Sequence, residues 1–196
     1  MRDQPWLGLR AEVDLMTGFT RDEYSFFAMA MNEDMSTVDV AAVAKMHGVE
    51  LDSYRAVYPD ASDTDLYLLI QSDGFFRIPS LWCAQEHPGR SWSYELTWPT
   101  PVFGGALGAC HLLDVPLTFG NFQGPMAGML FGGAVPREAV ELGEKIRRSL
   151  TSFAATGDPG WPEYQRGDAL TRIWDTQPSV AADPESASRR IWSDKM

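Results

Sequence analysis

The feature that most narrows the possible folds is a strictly alternating run from Ser91 to Trp98 with helical segments on either side of it. Trp92, Tyr94, Leu96 and Trp98 share one face and Ser93, Glu95 and Thr97 the other, the period of a β-strand, and Pro99 and Pro101 end it. A first strand is expected from Ala11 to Thr17 with a sharp exit at Gly18, and a last one from Leu170 to Trp174. Between them, Tyr24 to Met31 reads as helical, and Ser36-Thr37-Val38-Asp39 has cap spacing ahead of a helix from Ala41 to Met46 that Gly48 closes. Ser62-Asp63-Thr64-Asp65 opens another helix through Leu66, Leu69 and Ile70, interrupted near Gly74 and Pro79 and continuing toward Trp82. A long helix is expected from Arg137 to Ala155, with Val140, Ile146, Leu150 and Phe153 near one stripe and Gly157 beyond its end, and a final helix ends near Trp192. Strands separated by helices place the chain in the α/β class.

Composition bounds the rest. With 196 residues, 44% of them hydrophobic, the chain can bury one ordinary core, and no repeat or long linker divides it. A net charge of −11 argues against nucleic acid, whose binders concentrate Lys and Arg on one surface. No stretch approaches the roughly 18 apolar residues of a membrane span, and no secretory leader is visible at Met1-Arg2-Asp3, so a span is not expected and localisation stays open, with cytoplasm favoured over secretion. Cys83 and Cys110 make neither a disulfide framework nor a Cys-x-x-Cys pair and read as small apolar fillers. Cys110 directly precedes His111, but neighbours on an extended segment point to opposite sides, which argues against a cysteine nucleophile.

Three histidines are available as a general base. His47 stands just before Gly48, where a side chain can bond terminal carbonyls of a helix, and His87 lies in a polar turn with Pro88 and Gly89; both read as structural or solvated. His111 lies in a glycine-rich loop after a strand, Gly104-Gly105-Ala106-Leu107-Gly108-Ala109-Cys110-His111, where catalytic side chains collect. On its residues alone it is either a base or a satisfied loop histidine.

The segment from Gly108 through His111 and Asp114 to Pro116, Phe119 and Gly120 resembles the catalytic-histidine motif of type-B carboxylesterases, the family of the para-nitrobenzyl esterases and cholinesterases. Upstream, Gly18-Phe19-Thr20-Arg21-Asp22-Glu23-Tyr24-Ser25-Phe26-Phe27 resembles that family's strand-to-helix loop, whose acidic residue aligns with Glu23. Support comes from the Ser91 to Trp98 strand, from Phe153 to Pro159 with Trp161-Pro162, and from Arg190-Ile191-Trp192, so the likeness spans nearly the whole chain. Leu117-Thr118 and Gly18-Phe19 depart from the family pattern. The resemblance implies the C-terminal half of an α/β-hydrolase fold, a partial mixed sheet with flanking helices, and a triad to which the chain gives Glu23 and His111 with no cofactor and no metal. Asp22 could reach a histidine from the same loop; the alignment, not the residue chemistry, prefers Glu23. Asp114 resembles an acidic position near the family's histidine and is expected to act as structural support. Phe26, Phe27 and Trp98 read either as pocket lining or as core.

The nucleophile of such a fold sits in Gly-x-Ser-x-Gly and precedes the acid and the histidine. That pentapeptide does not occur here: Gly89-Arg90-Ser91-Trp92-Ser93 begins like one but lacks the second glycine, and the family's oxyanion loop is missing too. The expectation is therefore a single partial domain over residues 1–196, whose N-terminal nucleophile half is absent and which is inactive alone. Its expected partners are a small-molecule ester and either a complementing N-terminal esterase half or a second copy. The alternatives from other classes are a non-catalytic esterase-like interaction module, an inactive truncated product, and a metal site from His47 and His87 that has no ligand spacing behind it.

Overall fold

Side-chain parity on four strands divides this protein into two cores. The computed structural model describes residues 12–193. Strands β1 (Leu15–Thr20), β2 (Ser91–Leu96), β3 (Leu170–Trp174) and β4 (Ser179–Ala182) form one mixed sheet in the order β1-β2-β3-β4. β1/β2 and β2/β3 are parallel, β3/β4 antiparallel. Because successive side chains on a strand alternate faces, Met16, Trp92, Tyr94, Leu96 and Trp174 join one core and Phe19 the other. Both faces of β2 are buried, including its polar one: Ser93 and Glu95 are 1% and 2% exposed. A parallel strand covered on both sides is expected to be closed to solvent in this way.

Helices α1 (Glu23–Ala30), α2 (Val40–His47), α3 (Leu51–Val57), α4 (Asp63–Ser72), a π turn (Asp73–Arg77) and α5 (Ile78–Glu86) connect β1 to β2. A 3-10 turn (Val102–Gly105), α6 (Asp114–Phe119), α7 (Pro125–Phe131) and α8 (Arg137–Thr156) connect β2 to β3, and α9 (Ser186–Ile191) follows β4. The second core lies under α2, α4, α5 and Trp192; the first holds α6, α7 and the stripe Ala139, Leu142, Gly143 and Ile146 of α8. Val140, expected on that stripe, is only half-buried, because Ala139 takes the inward position.

Several boundaries differ from expectation for physical reasons. Ala11 lies outside the described residues, and Gly18 does not end β1 but sits inside it, since a Cβ there would run into the carbonyl and ring of Tyr94. Asp39, not Ser36, caps α2: its side chain accepts the Ala42 amide at 2.9 Å, while Ser36 bonds Asp34. Ser62 and Asp65 do form a reciprocal capping box. Gly74 and Pro79 cause no break, because the Ile78 amide reaches back to the Asp73 carbonyl, a wide turn that precedes the residue without an N–H.

Candidate active site

β1 ends at Thr20 and the chain turns through Arg21 and Asp22 into α1, whose first residue is Glu23. Glu23 is 5% exposed, so its carboxylate needs partners. It has two: Oε1 accepts the Thr20 amide at 2.8 Å, and Oε2 lies 2.5 Å from Nδ1 of His111, 88 residues on. Asp22 goes elsewhere. Its amide donates to the Ala109 carbonyl at 2.9 Å and its Oδ2 accepts the Ala109 amide at 2.8 Å, pinning the histidine loop at two points. Gly108 allows that approach: its φ is +59°, and a Cβ there would collide with the Asp22 carboxylate.

His111 begins the turn that leads into α6, and Leu112 behind it has φ +71°, a left-handed conformation that costs a non-glycine residue about 1–3 kcal/mol. The imidazole side chain is 29% exposed and no hydrogen bond to its Nε2 occurs among the described residues. Phe27 and Phe76, stacked on each other at 5.6 Å, stand together on one side of it with ring centroids at 4.8 and 5.0 Å, and Phe26 stands at 6.3 Å. Phe26 and Phe27 are thus beside His111, whereas Trp98 is core, 4% exposed. The arrangement places a buried carboxylate on one imidazole nitrogen and leaves the other free to take a proton.

The other candidates lie apart. His47 Nε2 pairs with Gln71 Oε1 at 2.8 Å, where a bond to helix-end carbonyls was expected, because its ring packs under Gly74 between Phe75 and Trp192. His87 is buried, not solvated, with Nε2 2.7 Å from the Val13 carbonyl. Cys110 is wholly buried in the first core and burial pushes its thiol up to about 12, which disfavours a thiolate. It lies outside the strands, and its carbonyl accepts the Leu113 amide at 3.2 Å across the turn that His111 begins. Asp114 opens α6 beneath His111, and burial followed by the charge of Glu23 raises its carboxyl. Ser91 is inside β2, its hydroxyl donating to the Ala84 carbonyl at 2.7 Å. Among the described residues no three His, Cys, Asp or Glu side chains are placed to hold a metal ion, and no helix is long and apolar enough to cross a membrane.

Two neighbours of the site were not legible as such. Phe76 reaches His111 because the π turn carries it, and Arg77 is a buried cation, 2% exposed, paired with Asp73 and Glu185. The Asp73-x-x-x-Arg77 spacing was the available signal for the second; none announced the first.

A mixed sheet with helices on both faces and this loop geometry is an α/β-hydrolase fold, and the chain is homologous to type-B carboxylesterases over most of its length. In particular, it is 27% identical to the para-nitrobenzyl esterase of Bacillus subtilis strain 168 over 194 residues, covering 93% of this chain. It is 23% identical to the phenmedipham hydrolase of Pseudarthrobacter oxydans, covering 88% of the chain. The carboxylesterase EST55 of Geobacillus stearothermophilus superposes with a TM-score of 0.74 at 22% identity, covering 90% of this chain and 40% of that one. The chain spans 38% of the length of each of the two curated relatives. No protein-family profile matches it.

Proposed function

We propose that this chain supplies the carboxylate and the general base of a serine carboxylesterase, the serine and the oxyanion donors coming from a segment outside it. The observation that carries the reading is the 2.5 Å contact between buried Glu23 and His111 Nδ1, with Nε2 on the open side. In the assembled enzyme Nε2 of His111 takes the proton of the attacking serine hydroxyl and returns it to the leaving alkoxide. Water then resolves the acyl-enzyme by the same base. Glu23 holds the tautomer and stabilises the imidazolium, and the protein needs no metal or organic cofactor for these steps. The substrate class is a small carboxylic ester, as the names of the relatives suggest.

Among the described residues no strand pairs with the outer edge of β1, which supports a missing partner. In a parallel ladder one residue turns both its N–H and its C=O to the same neighbour. Leu15 and Arg21 donate to the β2 side, at Arg90 and Leu96, so Met16 and Gly18 turn their amides outward, while the Thr20 amide is taken by Glu23 and the Gly18 carbonyl by the Ser80 hydroxyl. Such an edge is a template for another strand. A complementing N-terminal esterase half that carries a serine elbow would occupy it, and a second copy of the chain would compete for it.

The test is hydrolysis of a short-chain chromogenic ester by the purified chain, alone and mixed with an N-terminal half from a related esterase. Turnover only in the mixture, lost in His111→Ala, is the expected result. Serine-type turnover by the chain alone overturns the split-triad reading, and silence in both favours an interaction module or an inactive product.

A further inference from the structure

Arg77 is the side chain through which the helical layer reaches the peptide that delivers Glu23. Its guanidinium is buried, pairs through Nη1 with Asp73, and has Nε 3.3 Å from Glu185 Oε2. The remaining arm, Nη2, donates to the carbonyl of Arg21 at 2.7 Å. Asp73 is itself held by the Tyr54 hydroxyl at 2.7 Å, which accepts the Trp192 indole N–H at 2.6 Å, so the cluster extends to α9.

The Arg21 carbonyl belongs to the turn between β1 and α1, two residues before Glu23. The amides of that turn are held by Leu96, Ala109 and Glu23 itself. Its carbonyl at Arg21 is held by Arg77. The planar fork aims Nη1 at Asp73 and Nη2 at the Arg21 carbonyl while Nε faces Glu185 as an ion pair without a hydrogen bond; an ammonium presents its three donors from a single atom and does not reproduce that spread.

We propose that Arg77 is a positioning residue for the carboxylate of Glu23: the buried guanidinium fixes the Arg21 peptide, and with it the distance between Glu23 and His111. This rests on the Glu23–His111 reading above. A cation serving stability alone would balance Asp73 and Glu185 and leave the turn indifferent to the shape of its head group.

Arg77→Lys keeps the charge and removes the fork; Arg77→Lys with Glu185→Gln also keeps the local charge balanced if the single change unfolds the chain. Two protons report on Glu23 in the full chain without any turnover: the His111 Nδ1–H resonance, expected far downfield for so short a bond, and exchange of the Thr20 amide. In variants that melt cooperatively, Thr20 exchange should accelerate about tenfold and the His111 resonance should move upfield or broaden. Unchanged reporters in a folded variant overturn the proposal. So does a double variant that cannot fold, since Arg77 would then be a folding element only. Failure of the esterase reading shows separately, as no ester turnover by the complemented wild-type chain while the reporters still respond to Arg77→Lys.

Discussion

Oε2 of Glu23 lies 2.5 Å from Nδ1 of His111 while Oε1 is occupied by the Thr20 amide, so the carboxylate is held from both ends. A group fixed in this way defines which imidazole nitrogen carries the proton and compensates the charge that forms when the other accepts one. Glu23→Gln keeps the size and removes that charge. In the complemented esterase it should lower kcat by about 10³–10⁴ with little change in KM. Steady-state kinetics on a chromogenic ester decide it; a loss under about tenfold would remove Glu23 from the triad.

Asp22 gives the contrasting case. It bonds the Ala109 backbone at both N–H and C=O, while the imidazole's carboxylate partner is Glu23, so its effect runs through the position of the loop. Asp22→Ala leaves the Ala109 amide without its acceptor, which should cost about 1–3 kcal/mol of stability by denaturant melt. The accompanying fall in kcat should be far smaller than for Glu23→Gln. Equal losses at the two positions would reverse the assignment.

The elements that were legible from sequence are those whose signals are local. Ser62 with Asp65, Gly48, Gly157 and the β3 run each act through a few neighbouring residues, and each stands where its pattern placed it. The misses depend on partners far away. Gly18 read as a strand exit because its reason, the Tyr94 ring and carbonyl, lies on another strand. The segments that became α6 and α7 hold Pro116, Pro125, Gly124 and Gly128 and carried no helical expectation; they are helical because Leu117, Ala127 and Leu130 pack into the first core. In the site, the resemblance chose Glu23 over Asp22. Chemistry alone left both open, since the choice depends on which carboxylate the turn points at His111.

Phe76 covers one face of His111 and stacks on Phe27 at 5.6 Å. It is half-buried, and under the proposed function it stands beside the base that an ester has to reach. Phe76→Ala should enlarge the space there and shift preference toward bulkier esters, raising their kcat/KM relative to acetate esters by about tenfold. A parallel series of acyl lengths tests this, and an unchanged preference would leave Phe76 as packing only.

Gly18 tests the sheet. Gly18→Ala brings a methyl group against the Tyr94 backbone, which cannot yield as a flexible side chain can. A loss of about 1–3 kcal/mol is expected from overpacking, read as a lower denaturant midpoint at constant slope. A neutral outcome would mean that β1 and β2 separate more easily than their register implies.

Glu95 gives the chain a pH dependence with a definite sign. It is buried on β2 facing Glu185, Arg77 and Arg21; burial first, and the charge of Glu185 second, push its carboxyl from 4.5 up to about 8. The folded chain therefore keeps a proton that the unfolded chain releases, and folding binds protons between those two values. The contribution of Glu95 to stability is complete below about 4.5, declines as pH rises toward about 8 and levels off above it, with a slope of at most about 1.4 kcal/mol per pH unit. Glu95→Gln replaces the protonated acid by a neutral amide and should flatten the curve. Some slope should remain, because Asp114, also raised by burial, titrates with the same sign. Melting temperatures from pH 5 to 9 measure both chains; a wild-type stability that rises through this range, or an undiminished decline in Glu95→Gln, would place the retained proton elsewhere.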